Sequence, residues 1–380
     1  MRTSMKISSN FDGGNITSVA CDDPADIRLE INKDEASDFY QWFYFRLSGA
    51  QGQDCTLKLT NAGGAAYPKG WEGYQAVASY DRQTWFRVPS SYDGQTLTIR
   101  HCPDANAVFY AYFAPYSMER HADLIAWAQG SPRVVPQVLG QSLDGQDLDL
   151  LEIAAPGGGE RKKRLWVMAR QHPGETMAEW WIEGFLGRLL DPDDPLARAL
   201  LDKADFFVVP NMNPDGSRRG HLRTNAAGAN LNREWQQPSL ARSPEVYLVR
   251  QKMRAVGLDF CLDVHGDEAL PYNFIAGTEG IPGWSARLEK LLGDFKQALQ
   301  RANPDFQTAQ GYPRNAPGAA NLTIASNAIA QAFDCLSMTL EMPFKDTLDG
   351  PDDVQGWSPE RCRKLGEAGL DAMAAVIDQL

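Results

Sequence analysis

The chain has 380 residues, more than one typical core accommodates, so two domains are expected. Hydrophobic residues make up 43% and charged residues 23%, the balance of a soluble globular protein. The formal net charge of −12 excludes a general nucleic-acid binder, which needs a basic face to displace counterions, but leaves room for a local basic pocket.

Residues 1–15 contain Arg2 and Lys6 but no apolar stretch, so no secretory leader is expected. No run approaches the ~18 apolar residues that cross a bilayer, so no membrane association is expected either. The six cysteines are scattered singly, without a Cys-x-x-Cys pair. They read as reduced thiols of a cytoplasmic protein, and they argue against a cysteine zinc site.

In the first third, short β-prone runs occur at 40–47, 55–60, 84–88, 97–101 and 107–113. Turn-rich pieces such as Ser48-Gly49-Ala50-Gln51-Gly52 separate them, which predicts an antiparallel β-sandwich. The pattern changes at Ala114-Pro115-Tyr116-Ser117, which predicts an all-β domain over 1–114 and a second domain over 115–380. In the second domain, apolar strand candidates at 165–169, 206–210, 258–264 and 336–340 alternate with helical periodicity at 177–190, 244–256, 284–302 and 359–380. Such alternation predicts an α/β fold with a parallel or mixed sheet.

Ligands of open α/β sheets bind beyond the carboxyl ends of strands. Four strand ends here lead into Arg170-Gln171-His172-Pro173-Gly174-Glu175, Asn211-Met212-Asn213-Pro214-Asp215-Gly216, His265-Gly266-Asp267-Glu268 and Glu341. His172 and Glu175, joined by His265, form a candidate three-ligand zinc site that leaves a fourth position open. His-x-x-Glu alone recurs by chance; its place at a strand end, with a second strand-end histidine, gives it weight. His101, His121 and His221 are expected to be ordinary core or surface histidines. Glu341 reads either as an exposed strand-end carboxylate or as a general base. The loop 220–235 is rich in Arg and Asn, and its guanidinium groups suit a carboxylate or an oxyanion, or stand solvated.

Taken in order, His-Pro-Gly-Glu, Asn-Pro-Asp-Gly, Asn-Leu-Asn-Arg, a strand-end His and a strand-end Glu resemble the zinc carboxypeptidase superfamily. The β-rich first third, with Gln41-Trp42-Phe43-Tyr44-Phe45 and Pro115-Tyr116-Ser117, resembles its cytosolic carboxypeptidase subgroup. The resemblance covers about 38–345. It implies an all-β domain followed by an α/β/α sandwich with a central mixed sheet. It implies one Zn2+ per chain on His172, Glu175 and His265, Glu341 as general base, and Arg223 polarising the scissile carbonyl. Asn232 and Arg233 would clamp the C-terminal carboxylate of a peptide or protein tail. The reaction implied is release of the last amino acid.

Two departures stand out. Many members of the family have Asp where this chain has Asn230, and that Asp hydrogen-bonds the first histidine ligand; an amide lacks the charge that raises ligand basicity, although its carbonyl can still accept the imidazole N–H. The specificity region, 311–327, has a single charged residue, Arg314, where eukaryotic members that remove glutamate have basic residues. Arg314 either meets an acidic substrate side chain or is solvated; the pocket position falls near Ser326, and Tyr312 is a candidate closing phenol. The shared motifs also fit a zinc amidohydrolase acting on N-acyl amino acids or cell-wall peptides. A peptide-binding scaffold without catalysis is disfavoured by the complete set of ligands, base and arginines. Oligomeric state is left open.

Overall fold

The computed structural model describes residues 4–155 and 162–380. Ten strands come first: β1 (Lys6–Ser8), β2 (Thr17–Ala20), β3 (Ile27–Glu30), β4 (Tyr44–Ser48), β5 (Cys55–Leu59), β6 (Ala76–Ser79), β7 (Phe86–Val88), β8 (Ser90–Tyr92), β9 (Leu97–His101) and β10 (Ala107–Ala111). They form two sheets, β1-β4-β10-β6-β7 and β2-β3-β5-β9-β8, antiparallel throughout except for the parallel pair β3–β5. Alternation decides which side chains turn inward: in β5, Cys55, Leu57 and Leu59 are buried while Thr56 and Lys58 are half-exposed.

The remainder alternates helix and strand: α1 (Met118–Ala128), β11 (Val134–Gln141), β12 (Asp147–Ile153), β13 (Lys163–Ala169), α2 (Met177–Leu189), α3 (Pro195–Lys203), β14 (Ala204–Val209), α4 (Pro214–Arg219), α5 (Pro244–Val256), β15 (Phe260–Asp267), β16 (Phe274–Ala276), α6 (Ala286–Ala302), α7 (Ala325–Phe333), β17 (Leu336–Pro343) and α8 (Pro359–Val376). The seven-stranded sheet has the order β11-β12-β14-β13-β15-β17-β16. Its four central strands are parallel and its flanking strands antiparallel, so the sheet is mixed.

The parallel strands are the four runs that the sequence marks as strands. They are apolar on both faces because helices cover both. Leu165, Val167 and Ala169 of β13 pack in the same core as α2 and α8, whereas Trp166 and Met168 face a second cluster with Val246, Val249 and Met253 of α5 and Ile329 of α7. Buried contacts continue from this sheet into the β region, where Tyr112 stacks on Phe344 with ring centroids 4.3 Å apart.

Two of the strands run further than their apolar stretches suggest. β15 continues to Asp267 and β17 to Pro343, so His265 and Glu341 lie inside strands, paired directly across from each other. Strand geometry thereby fixes the spacing of two site residues. The elements that sequence periodicity missed are short or amphipathic: β1, β2, β3, β6, β8, the antiparallel strands β11, β12 and β16 of the larger sheet, and helices α1, α3, α4 and α7.

Candidate metal centre and cleft

The chain leaves β13 through Arg170, whose φ of 57° breaks the strand. This unfavourable conformation is held by a buried guanidinium that donates to Pro173 O, Tyr116 O and Glu179. The turn that follows places His172 and Glu175 under the cleft. Gly174 packs closely there, since a Cβ would meet Leu222 O at 3.0 Å. The Asn-Pro-Asp-Gly motif is the scaffold beneath this turn. Asn213 caps α4 by accepting from Gly216 N and donates to Gln171 O. Gly216 lies so close to Pro173 and Thr224 that no side chain fits.

His172, Glu175 and His265 are all buried, and their ligating atoms lie within 4.8 Å of one another. Nδ1 of His172 is 2.7 Å from Glu175 Oε1, and Nδ1 of His265 is 2.8 Å from Glu175 Oε2. Each imidazole is oriented from behind through Nε2: His172 by Asn230 Oδ1 at 3.0 Å and His265 by Asp263 Oδ2 at 2.9 Å. Two Nδ1 atoms and a carboxylate therefore converge with their tautomers set by outer partners, the arrangement of a metal centre. Burial and the nearby Arg223 push the His172 pKa down to about 4, so this imidazole is a neutral lone-pair donor. Burial disfavours charge on His265, but Asp263 and Glu175 raise its pKa well above the ordinary value. The same excess of negative charge attracts a cation. Two imidazoles and one carboxylate suit zinc.

Glu341 faces His265 across the β15–β17 pair. Its Oε2 is buried and has no hydrogen-bond partner among the described residues. Burial drives its pKa well up, and Glu175, Asp267 and Glu268 add to this against the attraction of His265. Such a carboxyl group holds a proton readily, as a proton shuttle must.

The loop 220–235 forms the opposite wall. Gly220, with φ of 73°, ends α4 in the left-handed conformation, and a Cβ there would meet Gly13 O at 2.7 Å. Arg223 lines the cleft with its guanidinium between the rings of Phe39 and Tyr67, 5.6 and 5.3 Å from their centroids. Asn232 accepts from Ala325 N through Oδ1, which leaves its amide nitrogen for the cleft. Arg233 forms no ion pair among the described residues; burial and the neighbouring Arg223 lower its pKa. Two cations that line one cleft and form no ion pair among the described residues suit an anion.

The cleft of about 570 Å³ is lined by all seven of these residues, from His172 to Glu341, and by Arg314, Tyr312 and Ser326. Arg314 is not a free cation: it sits 3.4 Å from Glu279 and 3.0 Å from Glu289, with 65% of its side chain exposed. Tyr312 donates to Asp267 Oδ2 at 2.5 Å. Ser326 hydrogen-bonds Thr339 at 3.1 Å. Several lining residues escaped the sequence reading, among them Lys296, Glu279, Tyr67 and Glu268. Lys296 on α6 is half-buried with no hydrogen bond or ion pair among the described residues. Glu279 is a buried carboxylate of the lining. Tyr67 arrives from the β region. Glu268 is buried, and its pKa is pushed up to about 8 by burial, with Arg223 opposing. Only Glu268 carried a signal, its place in His-Gly-Asp-Glu after a strand. His121 and His221 have the bland roles expected. His121 bridges Glu179 and Asp149, and His221 bridges Thr224 O and Glu35 N.

Residues 7–113 match the family described as cytosolic carboxypeptidase N-terminal domain, and residues 121–246 match the family described as zinc carboxypeptidase. A metallo-carboxypeptidase from Burkholderia cenocepacia superposes with a TM-score of 0.97 at 48% identity, covering 99% of this chain and 100% of that one. A metallo-carboxypeptidase from Pseudomonas aeruginosa, solved in complex with (2-guanidinoethylmercapto)succinic acid, gives 0.96 at 48% identity over 98% and 99%. Human cytosolic carboxypeptidase 1 is 26% identical over 324 residues, 72% of this chain, which spans only 26% of the human protein's length.

Proposed function

Because this chain belongs to the zinc carboxypeptidase family, and is a metallocarboxypeptidase of its cytosolic type, we propose that it removes the C-terminal residue from a peptide or protein tail, with one zinc ion on His172, Glu175 and His265. Zinc supplies Lewis acidity and lowers the pKa of a water molecule toward neutrality. Asn232 and Arg233 hold the terminal carboxylate. Arg223 donates to the scissile carbonyl oxygen as negative charge develops there. Glu341 Oε2 takes a proton from the attacking water and passes it to the leaving amine as the C–N bond breaks. The observation that carries this reading is the unpartnered, buried Oε2 of Glu341 directly across from a ligand histidine. Mass spectrometry of a C-terminally varied peptide library, incubated with zinc-loaded protein, tests it. Loss of one residue, abolished by a chelator, is expected; a library left wholly intact refutes it.

The residue released is proposed to be acidic. Lys296 supports this, as a cleft-lining cation of α6 that forms no ion pair among the described residues, whereas Arg314 is already paired with Glu279 and Glu289. A second reading rests on the Pseudomonas relative, whose bound compound carries two carboxylates and a guanidinium arm. In this chain Glu279 would meet such an arm, and a basic residue would be released. Peptides differing only in a terminal Glu, Arg or Leu separate the two. We also propose a division into two domains at Ala114–Pro115, and a cytoplasmic location, supported by six unpaired cysteines and by relatives named cytosolic.

A further inference from the structure

The guanidinium of Arg223 makes no side-chain hydrogen bond to any described residue, and its Nε is buried without a partner. An arginine aimed at substrate must be placed by something, because a loose guanidinium gives little transition-state stabilisation. Two aromatic rings flank it, and both belong to the β region. Its backbone is placed by the β region too. Asp34, only 2% exposed, lies between β3 and β4 and turns its carboxylate onto three successive amides of the catalytic loop. Oδ1 accepts from Leu222 N at 2.6 Å, and Oδ2 accepts from Arg223 N at 2.8 Å, Thr224 N at 2.9 Å and Thr224 Oγ1 at 3.0 Å. Charge-assisted bonds of this kind are short and about twice as strong as neutral ones.

The neighbours of Asp34 extend the same contact. Glu35 N donates to His221 Nε2, whose Nδ1 bonds Thr224 O. Asn15 Nδ2 donates to Gly220 O at 2.8 Å. A Cβ on Gly228 would strike Ala36 O at 2.1 Å, so the two backbones touch. The far end of the loop, at Asn232, is instead tied to α7 through Ala325 N.

We infer that Asp34 is a positioning residue for Arg223: its carboxylate fixes the 222–224 backbone so that the guanidinium, steadied by Phe39 and Tyr67, meets the developing oxyanion. This rests on the proposed role of Arg223. It gives the β region a share in catalysis beyond walling the cleft. Arg233 is tied at the other end of the loop through Asn232, whereas the ligand turn touches the clamped segment where Gly174 N donates to Leu222 O at 2.9 Å, so zinc stoichiometry is read beside kcat.

The test is a double-mutant cycle on the full-length zinc-loaded protein, using the best-cleaved peptide of the library. Asp34→Asn keeps the shape and removes the charge. It should lower kcat about 10-fold or more, with KM within twofold and zinc stoichiometry at one. Arg223→Ala should lower kcat about 10²–10³-fold. In the Arg223→Ala background, Asp34→Asn should cost less than twofold more, because what it positions is gone. An equal loss in both backgrounds, or a rise in KM with kcat unchanged, overturns the inference. If Arg223→Ala itself leaves kcat intact, the role of Arg223 fails instead, and the cycle reports that separately. Should Asp34→Asn not fold, Thr224→Val removes one of the four bonds; a kcat loss of a few-fold that vanishes in the Arg223→Ala background supports the clamp, and an equal loss in both refutes it.

Discussion

One wall of the cleft is strand and the other is loop, and the two are held by different means. His265 and Glu341 are register partners on β15 and β17, so the backbone ladder of two parallel strands sets their separation. Arg223 and Arg233 sit on a loop whose position is borrowed, at one end from Asp34 and at the other from Ala325 N. The proposed ligand and base thus sit on the sheet, and the proposed substrate contacts sit on a segment stapled down by Asp34, 188 to 190 positions away in sequence, and by Ala325, 93 positions from Asn232. Variants on the strand wall should change turnover, and variants on the loop wall should change either turnover or binding according to which end is released.

The largest expected effect is on the strand wall. Glu341→Gln keeps the shape and removes the proton acceptor. It should lower kcat by about 10²–10⁴-fold, with zinc content and KM retained, as read by steady-state kinetics and elemental analysis. A loss below tenfold breaks the assignment of the base to that wall. On the loop wall, Arg233→Ala should raise KM by about 100-fold with kcat nearly unchanged, because a charge-assisted bond to a carboxylate made equally in substrate and transition state is lost. A fall in kcat at constant KM would place Arg233 with Arg223 rather than with carboxylate binding.

Asn230 joins the walls, since it lies on the loop and orients His172 through Oδ1 at 3.0 Å. Asn230→Asp supplies the missing charge and should tighten zinc binding about tenfold in a chelator competition. Unchanged affinity would show that the amide already serves as well. The smallest effect expected is at the cleft rim. Lys296→Glu should shift the ratio of kcat/KM for peptides ending in Glu against those ending in Arg by about fivefold toward Arg, the size of one partly solvated charge contact. A shift in the other direction, or none, moves specificity to Glu279.

Much of the strand wall was legible in the sequence. Apolar runs buried on both faces are unmistakable as parallel strands, and His172, Glu175, His265 and Glu341 stand at their carboxyl ends, where such a sheet presents its ligands. The extension of β15 and β17 past the apolar runs was not legible, because His265, Gly266, Asp267 and Glu341 carry no β-prone pattern; only the neighbouring strands hold them extended. Arg314 shows the limit on the other wall. As the one charged residue in 311–327 it looked available to substrate, yet Glu279 and Glu289, far from it in sequence, neutralise it. Lys296 carries no local signal in the sequence, and it is α6's position that brings it to the cleft wall, where it forms no ion pair among the described residues.

The sequence by itself determined the candidate donor set, the order of the parallel strands and the longer helices between them, and the family, because ligand chemistry and hydrophobic periodicity are local properties. The tertiary structure alone decided which charges stay free and which are cancelled, and that Asp34, unremarkable in Asn32-Lys33-Asp34-Glu35, grips the Arg223 loop. Those outcomes depend on contacts between segments distant in sequence, 188 to 190 positions in the case of Asp34, whose energies no local pattern encodes.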